Sequence, residues 1–219
     1  MAATQALMPA VDAVDHLLLG ISNLETGIGW VEKITGVKAA VGGSHPGVGT
    51  RNALLSLGGR RYLEIIAPDP AQGTFNSRQD VRKLTEPRLI TWAAGTKDIE
   101  SIARRAAESG RQIFGPRDGS RARPDGQTIR WKTLGIMHQF GSELLDPIPF
   151  FIEWAPDAIH PSQDSPTGCV LQSFAIETLN ASGISAELRR LGIDASVKEA
   201  PAVRLVATLK TPKGLVTLE

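Results

Sequence analysis

At 219 residues the chain is long enough for one large domain or two small ones, and its 24 lysines and arginines nearly balance its 23 aspartates and glutamates. That balance gives no electrostatic reason to expect nucleic acid or an anionic membrane as a partner. The single cysteine, Cys169, excludes an intramolecular disulfide and a multi-cysteine metal site. Because the sequence shows neither a secretory leader nor a long apolar segment, it predicts a soluble, cytoplasmic protein.

The first part of the chain predicts a strand, a helix and a further strand. Residues 14–20 are an apolar run typical of a strand. Asn23 is a suitable N-cap for a helix that ends at Gly36. A short strand at residues 38–41 then precedes a glycine-rich segment, residues 42–49, whose composition predicts a loop.

Residues 51–57 and 62–66 predict a β-hairpin that completes a β-α-β-β-β unit. Glu64 lies in the middle of its second strand, between Leu63 and Ile65. Alternation along the strand places Glu64 on one face and its two neighbours on the other. Since an isolated buried carboxylate is costly to desolvate, Glu64 must face water, pair with a cation or bind a metal.

The same order of elements returns twice along the chain, which predicts an architecture of internal repeats. The second unit has predicted strands at residues 89–95, 112–115, 128–134 and up to 153, a helix at 99–109 and a polar loop at 116–126. The third and shorter unit has predicted strands at residues 169–176, 195–198, 204–209 and 215–218 and a helix at 182–191. Glu153 and Glu219 lie near the ends of apolar strands in these units, as the counterparts of Glu64 in the first.

These segments resemble the vicinal oxygen chelate superfamily, which includes glyoxalases, extradiol dioxygenases and fosfomycin and bleomycin resistance proteins. The resemblance is greatest to the glyoxalase-like domain group of bacterial proteins, through VDHLLLG at residues 14–20, HPG.GTRN.LL.LG..YLEII.PDP at 45–70 and FFI.W at 150–154. It implies an α+β fold in which repeated βαβββ units form curled mixed sheets around a cup. Residues 11–155 would be the paired domain and residues 156–219 a third, smaller βαβββ-like unit.

The resemblance also implies a metal site, because the first and fourth strands of each unit supply ligands in this superfamily. His16 and Glu64 match the pair of the first unit, and Glu153 matches the fourth-strand ligand of the second. The remaining position falls at or beside Thr91, where no good ligand stands. Three such ligands suit a divalent metal, Mn, Fe, Ni, Zn or Mg, and Glu64 or Glu153 would act as the catalytic base.

His16 and Glu64 also have a purely structural interpretation. His16 would then be a hydrogen-bonded core residue, and Glu64 would pair with Arg51 or Arg61. The sequence by itself leaves both interpretations open.

Five further residues are candidates for substrate binding. Arg51 and Asn52 lie on the strand before Glu64, and His45 lies in the glycine-rich segment at the expected rim of the cup. An ion pair with a glutamate is the alternative for Arg51. Trp92 and Trp131 either line the wall of a pocket or fill the core.

The predicted function is the binding of a small oxygenated or carbonyl metabolite in the cup, with a divalent-metal-dependent lyase or isomerase reaction if the protein is an enzyme. The alternatives are a metal-free binding or sequestering protein and an extradiol-type dioxygenase, which expects two histidines and one glutamate on iron. The third unit has an open sheet edge, which we expect to pack within the chain or across a homodimer.

Overall fold

The computed structural model describes residues 6–122, 128–142 and 144–219. Its helices are α1 (Ala10–Ala13), α2 (Leu24–Thr35), α3 (Ile99–Glu108) and α4 (Ala181–Arg190). Its strands are β1 (Met8–Pro9), β2 (Val14–Gly20), β3 (Ala40–His45), β4 (Thr50–Ser56), β5 (Tyr62–Pro68), β6 (Arg88–Gly95), β7 (Ile113–Ala122), β8 (Thr128–Ile136), β9 (Phe150–Trp154), β10 (Val170–Thr178), β11 (Ile193–Asp194), β12 (Ser196–Glu199), β13 (Arg204–Thr211) and β14 (Gly214–Leu218). Short 3-10 turns lie at Val81–Lys83 and Pro161–Gln163. Among the described residues, no helix has both the length and the apolar character needed to cross a membrane.

Eight strands form one curled sheet in the order β3-β4-β5-β2-β6-β9-β8-β7. The two halves repeat one arrangement, since β2 pairs in parallel with β5 and β6 pairs in parallel with β9. The halves join through the antiparallel pair β2 and β6. The sheet curls into a half-barrel with an inner and an outer face, so the predicted α+β fold of repeated βαβββ units is confirmed.

The main apolar core lies on the outer face of this sheet. Alternate residues of β2, among them Leu17 and Leu19, pack there with buried side chains of α2 and α3. A second sheet, in the order β12-β10-β13-β14, packs on the same core. Phe174 of β10 meets Trp92 of β6 with ring centroids 5.0 Å apart. The third unit therefore packs within the chain, and a homodimer stays a prediction.

The inner face forms the cup, and one end of it is filled by the chain itself. The segment between β5 and β6 places Val81 and Leu84 in a small apolar cluster with Leu18, Ile66 and Ile90 on the inner face. The polar residues of the inner face, which include His16 and Glu64, lie beside this cluster. The cup is therefore apolar at one end and polar at the other.

Local sequence signals explain several boundaries. The Asn23 side chain accepts a hydrogen bond from the Thr26 backbone N–H at 2.9 Å, and Gly36 ends α2 in the left-handed conformation with φ 81°. The Gly58-Gly59 turn joins β4 to β5 with positive φ at both glycines. The predicted helix and hairpin of the first unit are thus confirmed.

The prediction that residues 42–49 form a loop is wrong for its first half. Residues up to His45 belong to β3, which pairs with β4 along the edge of the large sheet. Gly42 is required by space, because a Cβ there would overlap the Asn52 side-chain oxygen. The Gly43 N–H donates to that same oxygen at 3.0 Å. These glycines therefore allow a close approach within a strand.

The predicted polar loop at residues 116–126 is likewise mostly strand where it is described. β7 continues to Ala122 and pairs with β8 through residues such as Asp118 and Arg121. Polar side chains are tolerated there because β7 is an edge strand of the sheet. The rest of the predicted loop, residues 123–126, lies outside the described residues.

Candidate functional site

The site begins with Asp15 and His16 on β2, the central strand of the cup. The pairing of β2 with β6 has an irregularity between Val14 and His16, which changes the direction in which the side chains point. His16 Nδ1 lies 2.7 Å from Asp15 Oδ1. Because a carboxylate can only accept, Nδ1 carries the proton, and Nε2 of His16 is left to face the cup.

Asp15 is held in place by two further donors. The Trp154 indole N–H donates to Asp15 Oδ2 at 2.9 Å, and His160 Nε2 lies 3.1 Å from the same oxygen. The Ser162 backbone N–H points to His160 Nδ1 at 3.3 Å, so the proton of the His160 ring is on Nε2. Three N–H groups therefore surround a buried carboxylate.

These donors determine the ionisation of Asp15. Burial alone raises the pKa of this carboxyl. The hydrogen bonds from His16 and His160 lower the pKa, outweigh burial and hold it well below its ordinary value of 3.8. Asp15 is therefore an anion that orients His16.

Glu64 lies on β5, the strand paired with β2, next to His16, and is 7% exposed. The Asn52 side-chain NH₂ donates to Glu64 Oε1 at 2.7 Å. His16 Nε2 lies 3.5 Å from Glu64 Oε2, and His45 Nε2 lies 3.5 Å from Glu64 Oε1. His45 is anchored through its Nδ1, 2.8 Å from Thr50 Oγ1, and its side chain is 28% exposed. The structure therefore brings His16, Glu64, Asn52 and His45 together, with His45 at the rim.

Aromatic rings form the walls of this site. Tyr62 stacks on His16 with ring centroids 4.5 Å apart, and Phe150 meets His16 edge-on at 5.6 Å. Trp131 packs against Trp154 at 5.5 Å. Burial and the negative charges of Glu64 and Asp15 raise the pKa of Tyr62 well above its ordinary value, so the phenol stays neutral.

Arg121 adds a cation between β3 and β7, the two edge strands of the half-barrel. It belongs to β7, but its Cδ lies 3.5 Å from the point where a Cβ of Gly43 on β3 would be. Its positive charge acts on Tyr62 and partly offsets the rise of that pKa. Within the described part of the chain, Arg121 makes no hydrogen bond or ion pair. Its Nη1 lies 3.3 Å from the point where a Cβ of Gly42 would be, beside the Asn52 side-chain oxygen on the inner face.

Three of the sequence-predicted site residues lie away from this cluster. Glu153 accepts a hydrogen bond from the Ile99 backbone N–H at 2.6 Å, at the start of α3 on the outer face. Arg51 pairs with Glu25 of α2 through two contacts of 2.9 Å. Trp92 is fully buried in the outer core and donates to the Pro147 carbonyl at 2.9 Å.

The ion pairs considered for Glu64 are not formed. Arg51 is occupied by Glu25, and Arg61 donates to Asp12 at 3.0 Å. Glu219 accepts from Arg204 at 3.1 Å at the surface. The buried neighbours of Glu64 are therefore the amide of Asn52 and two imidazoles, which leaves the carboxylate without an arginine or lysine partner among the described residues.

Sequence reasoning missed Asp15, His160 and Arg121. Asp15 carried a usable signal, because it is an acidic residue inside an otherwise apolar strand, as Glu64 is. His160 and Arg121 carried none, since their roles depend on which distant strands curl towards β2 and β3. His160 comes from a segment 145 positions away from Asp15 in the chain.

A divalent metal is the group that the superfamily implies, and the donor set tests whether it fits. His16 Nε2 and Glu64 Oε2, at 3.5 Å, have the separation of two ligands about 2.1 Å from one ion. His45 lies against the other Glu64 oxygen, but Glu153 is at the start of α3. Among the described residues, no group of three or more potential ligands is placed to hold a metal ion. The three-ligand centre does not fit, and we derive no step through a metal.

Comparison with known protein families adds to this geometry. A family model described as a glyoxalase-like domain matches residues 14–199. The chain belongs to the glyoxalase-like domain family. The cluster around Glu64 is thus the inner site of a glyoxalase-like protein, in the fold of the vicinal oxygen chelate superfamily. No functionally curated protein matches the chain.

Solved structures extend the likeness of this glyoxalase-like protein to its full length. It is similar to a hypothetical protein from Staphylococcus aureus at 15% identity, over 94% of this chain and 98% of that one, with a TM-score of 0.66. It also matches methylmalonyl-CoA epimerase from Mycobacterium tuberculosis at 20% identity, over 71% of this chain and 94% of that one, with a TM-score of 0.45. A Streptomyces coelicolor methylmalonyl-CoA epimerase in complex with 2-nitronate-propionyl-CoA matches at 16% identity, over 70% and 99%, with a TM-score of 0.47. The first likeness concerns the fold alone, and the two epimerase matches carry no argument about function.

Proposed function

We propose that the cup binds a small oxygenated or carbonyl compound beside Glu64, and that Glu64 and His16 move a proton on it, as an isomerase or lyase requires. The observation that carries this proposal is the meeting of two imidazoles on one buried carboxylate. His16 Nε2 and His45 Nε2 each lie 3.5 Å from a different oxygen of Glu64. Because this distance is longer than a good hydrogen bond, His16 Nε2 and Glu64 Oε2 keep hydrogen-bonding capacity for a ligand, whereas His45 Nε2 lies 3.2 Å from the Asn52 side-chain nitrogen.

Glu64 is the candidate base of this reaction. A proton leaves the carbon beside the carbonyl for a Glu64 oxygen, and the bonding pair moves onto the carbonyl oxygen to give an enolate. Return of the proton to the opposite face of the same carbon completes an epimerisation without another reactant. With a 2-hydroxycarbonyl compound, the hydroxyl proton moves to the former carbonyl oxygen, the carbonyl forms at the neighbouring position, and the proton returns to the former carbonyl carbon. Asn52 donates to Oε1, so Oε2 is the oxygen that takes the proton.

His16 is the candidate partner that passes the proton on. Its Nδ1–H is held by the Asp15 anion, so its Nε2 accepts a proton and the resulting imidazolium is stabilised by Asp15. Arg121 supplies donors for the negative oxygen of the enolate. The cation of Arg121 favours substrates that also carry a carboxylate.

Proton NMR in deuterium oxide tests this function directly. The protein is incubated with a panel of 2-hydroxycarbonyl compounds and 2-oxo acids, and the loss of each signal from a carbon beside the carbonyl is followed. We expect exchange with at least one compound, and a rate about a hundredfold lower for Glu64→Gln. Glu25→Gln, which alters an exposed carboxylate, is the matched control. Exchange that Glu64→Gln leaves unchanged would contradict the assignment of the base.

A second candidate is a divalent ion held by fewer protein ligands. It is supported by the 3.5 Å separation of His16 Nε2 and Glu64 Oε2 and by the carboxylate of Asp15 behind the imidazole, an arrangement typical of metal-bound histidine. Elemental analysis of the wild type and of His16→Ala and Glu64→Ala tests it. Near-stoichiometric metal that both substitutions remove would support this candidate. No metal after reconstitution with Mn, Fe, Ni or Zn would refute it.

A metal-free binding protein is the remaining alternative. It keeps the cup and its polar end without the chemistry, so compounds of the panel would bind without exchange. NMR spectra of the histidine rings, recorded as each compound is added, separate a binding protein from an enzyme. A bound compound shifts the signals of His16 and His45 in both cases, but only an enzyme also exchanges the proton beside the carbonyl.

A further inference from the structure

A second cavity, of about 1010 Å³, lies away from the cluster around Glu64. It opens between the N-terminal segment, the start of α3, the end of β9 and the turn into β11. Its floor is formed by buried apolar side chains: Val14, Ala94, Ile102, Phe151 and Ile193. A space of this size with an apolar floor is typical of a small-molecule site.

The acidic side chains around this cavity are already engaged. Asp12 pairs with Arg61, and Asp15 accepts from its three N–H donors. Asp98 accepts from the Ser101 backbone N–H at 3.0 Å, and Glu153 accepts from that of Ile99 at 2.6 Å. The last two carboxylates also face the positive end of α3, which offsets their charge.

Two of the three basic side chains that line the cavity are in a different situation, whereas the third, Arg105, donates to the Ser101 hydroxyl at 3.3 Å. Arg60 and Lys97 both line the cavity and are exposed. With respect to the part of the chain that is described, neither makes a hydrogen bond or an ion pair. The cavity therefore presents two cations without partners above an apolar floor.

We propose that this cavity binds an amphipathic organic anion, with its apolar body on the floor and its carboxylate at Arg60 and Lys97. A guanidinium and an ammonium bind carboxylate oxygens through charge-assisted hydrogen bonds, while the buried floor removes apolar surface from water. The ligand is distinct from the compound proposed for the cup: the two sites share Asp15 and Trp154, but His16, Asn52 and Glu64 do not line this cavity.

Trp154 gives a local reporter for this site. Its side chain lines the cavity, and its indole N–H donates to Asp15. Trp131 packs against Trp154 but does not line the cavity. A ligand in the cavity therefore shifts the indole N–H signal of Trp154 more than that of Trp131.

The full chain is titrated with octanoate, octyl phosphate, 1-octanol and octylammonium. Calorimetry measures the affinity of each compound, and NMR measures the shifts of the indole N–H signals. We expect octanoate to bind more tightly than the alcohol and the ammonium, with the largest shift at Trp154. The double variant Arg60→Gln/Lys97→Gln should weaken octanoate about tenfold and leave octanol unchanged. The double variant Lys38→Gln/Arg104→Gln removes the same charge from exposed positions outside the cavity and should bind octanoate as the wild type does.

Other outcomes overturn the proposal. Preference for octylammonium, equal loss in both double variants, or shifts confined to signals outside the cavity would each refute it. If octyl phosphate binds more tightly than octanoate, the carboxylate assignment is wrong and the anionic group of the ligand is a phosphate ester. Glu64→Gln should bind octanoate normally, which separates this site from the one in the cup.

Discussion

Asp15→Asn tests whether a buried carboxylate sets the proton position on His16. Asparagine has the same shape as aspartate, but only one of its two terminal atoms, the oxygen, accepts hydrogen bonds. Its NH₂ group must therefore face one of the three N–H donors that surround Asp15. Trp154 and His160 both point to Oδ2, and the indole cannot give up its proton. The asparagine NH₂ should therefore turn to His16 and move the proton of that ring from Nδ1 to Nε2, because an amide NH₂ can only donate.

The expected cost follows from the same three contacts. Hydrogen bonds to a charged group contribute about 1.5–3 kcal/mol and neutral ones about 0.5–1.5 kcal/mol, and the smaller desolvation of asparagine offsets part of the difference. We expect the free energy of unfolding to fall by about 2 kcal/mol near neutral pH. Urea unfolding measures this fall, and two-bond proton–nitrogen NMR of the histidine rings measures the tautomer.

The pH dependence of the effect has a definite sign. The folded-state pKa of Asp15 is lowered from 3.8, so its contribution to stability is fully present above that value and is lost as the pH falls towards the folded-state pKa. The difference between wild type and Asp15→Asn should therefore be constant in the neutral range and shrink below about pH 4. Asp12→Asn, at a carboxylate that is 57% exposed, is the control and should change stability by less than about 0.5 kcal/mol. An unchanged stability of Asp15→Asn, or a His16 ring that keeps its proton on Nδ1, would refute this reasoning.

Two further substitutions test features of the fold. Gly42→Ala should destabilise the protein by about 1–3 kcal/mol and displace Asn52, because the new methyl group overlaps the Asn52 oxygen. Gly43→Ala is the control, since its methyl group meets only the flexible Arg121 side chain. Equal unfolding temperatures of the two variants would contradict this prediction. Arg111→Met should cost about 1–3 kcal/mol in urea unfolding, because it removes one of the two arginine partners of Glu187, whose side chain is 1% exposed and which then keeps only Arg190 at 3.2 Å. The double variant with Glu187→Met should recover part of that loss, and no recovery would show that the ion pair is not its cause.

The sequence determined the elements whose signals are local. An N-cap at Asn23 and a glycine stop at Gly36 define α2, because both act within one helical turn. Alternation around Glu64 was enough to predict that this carboxylate stands on a face opposite to its apolar neighbours. The repeated order of elements was enough to predict a repeated βαβββ fold.

Tertiary structure alone decided which of these residues meet. Alternation separates the two faces of a strand but does not say which face becomes the cup, so Glu153 and Arg51 could not be placed from sequence. Both lie on the outer face, at the start of α3 and against α2 respectively. The first half of the glycine-rich segment is a strand because it pairs with β4, and Gly42 leaves the space that the Asn52 side chain occupies, which is a contact across strands.

The polar end of the cup shows the same division. Asp15 and His16 are adjacent in sequence, but the donor that completes their environment, His160, lies far along the chain and reaches them only after the strands have curled. Arg121 likewise meets β3 only because the two edges of the large sheet approach each other. The sequence by itself therefore determined the chemistry available to this glyoxalase-like protein, whereas the curvature of the sheet decided where that chemistry is assembled.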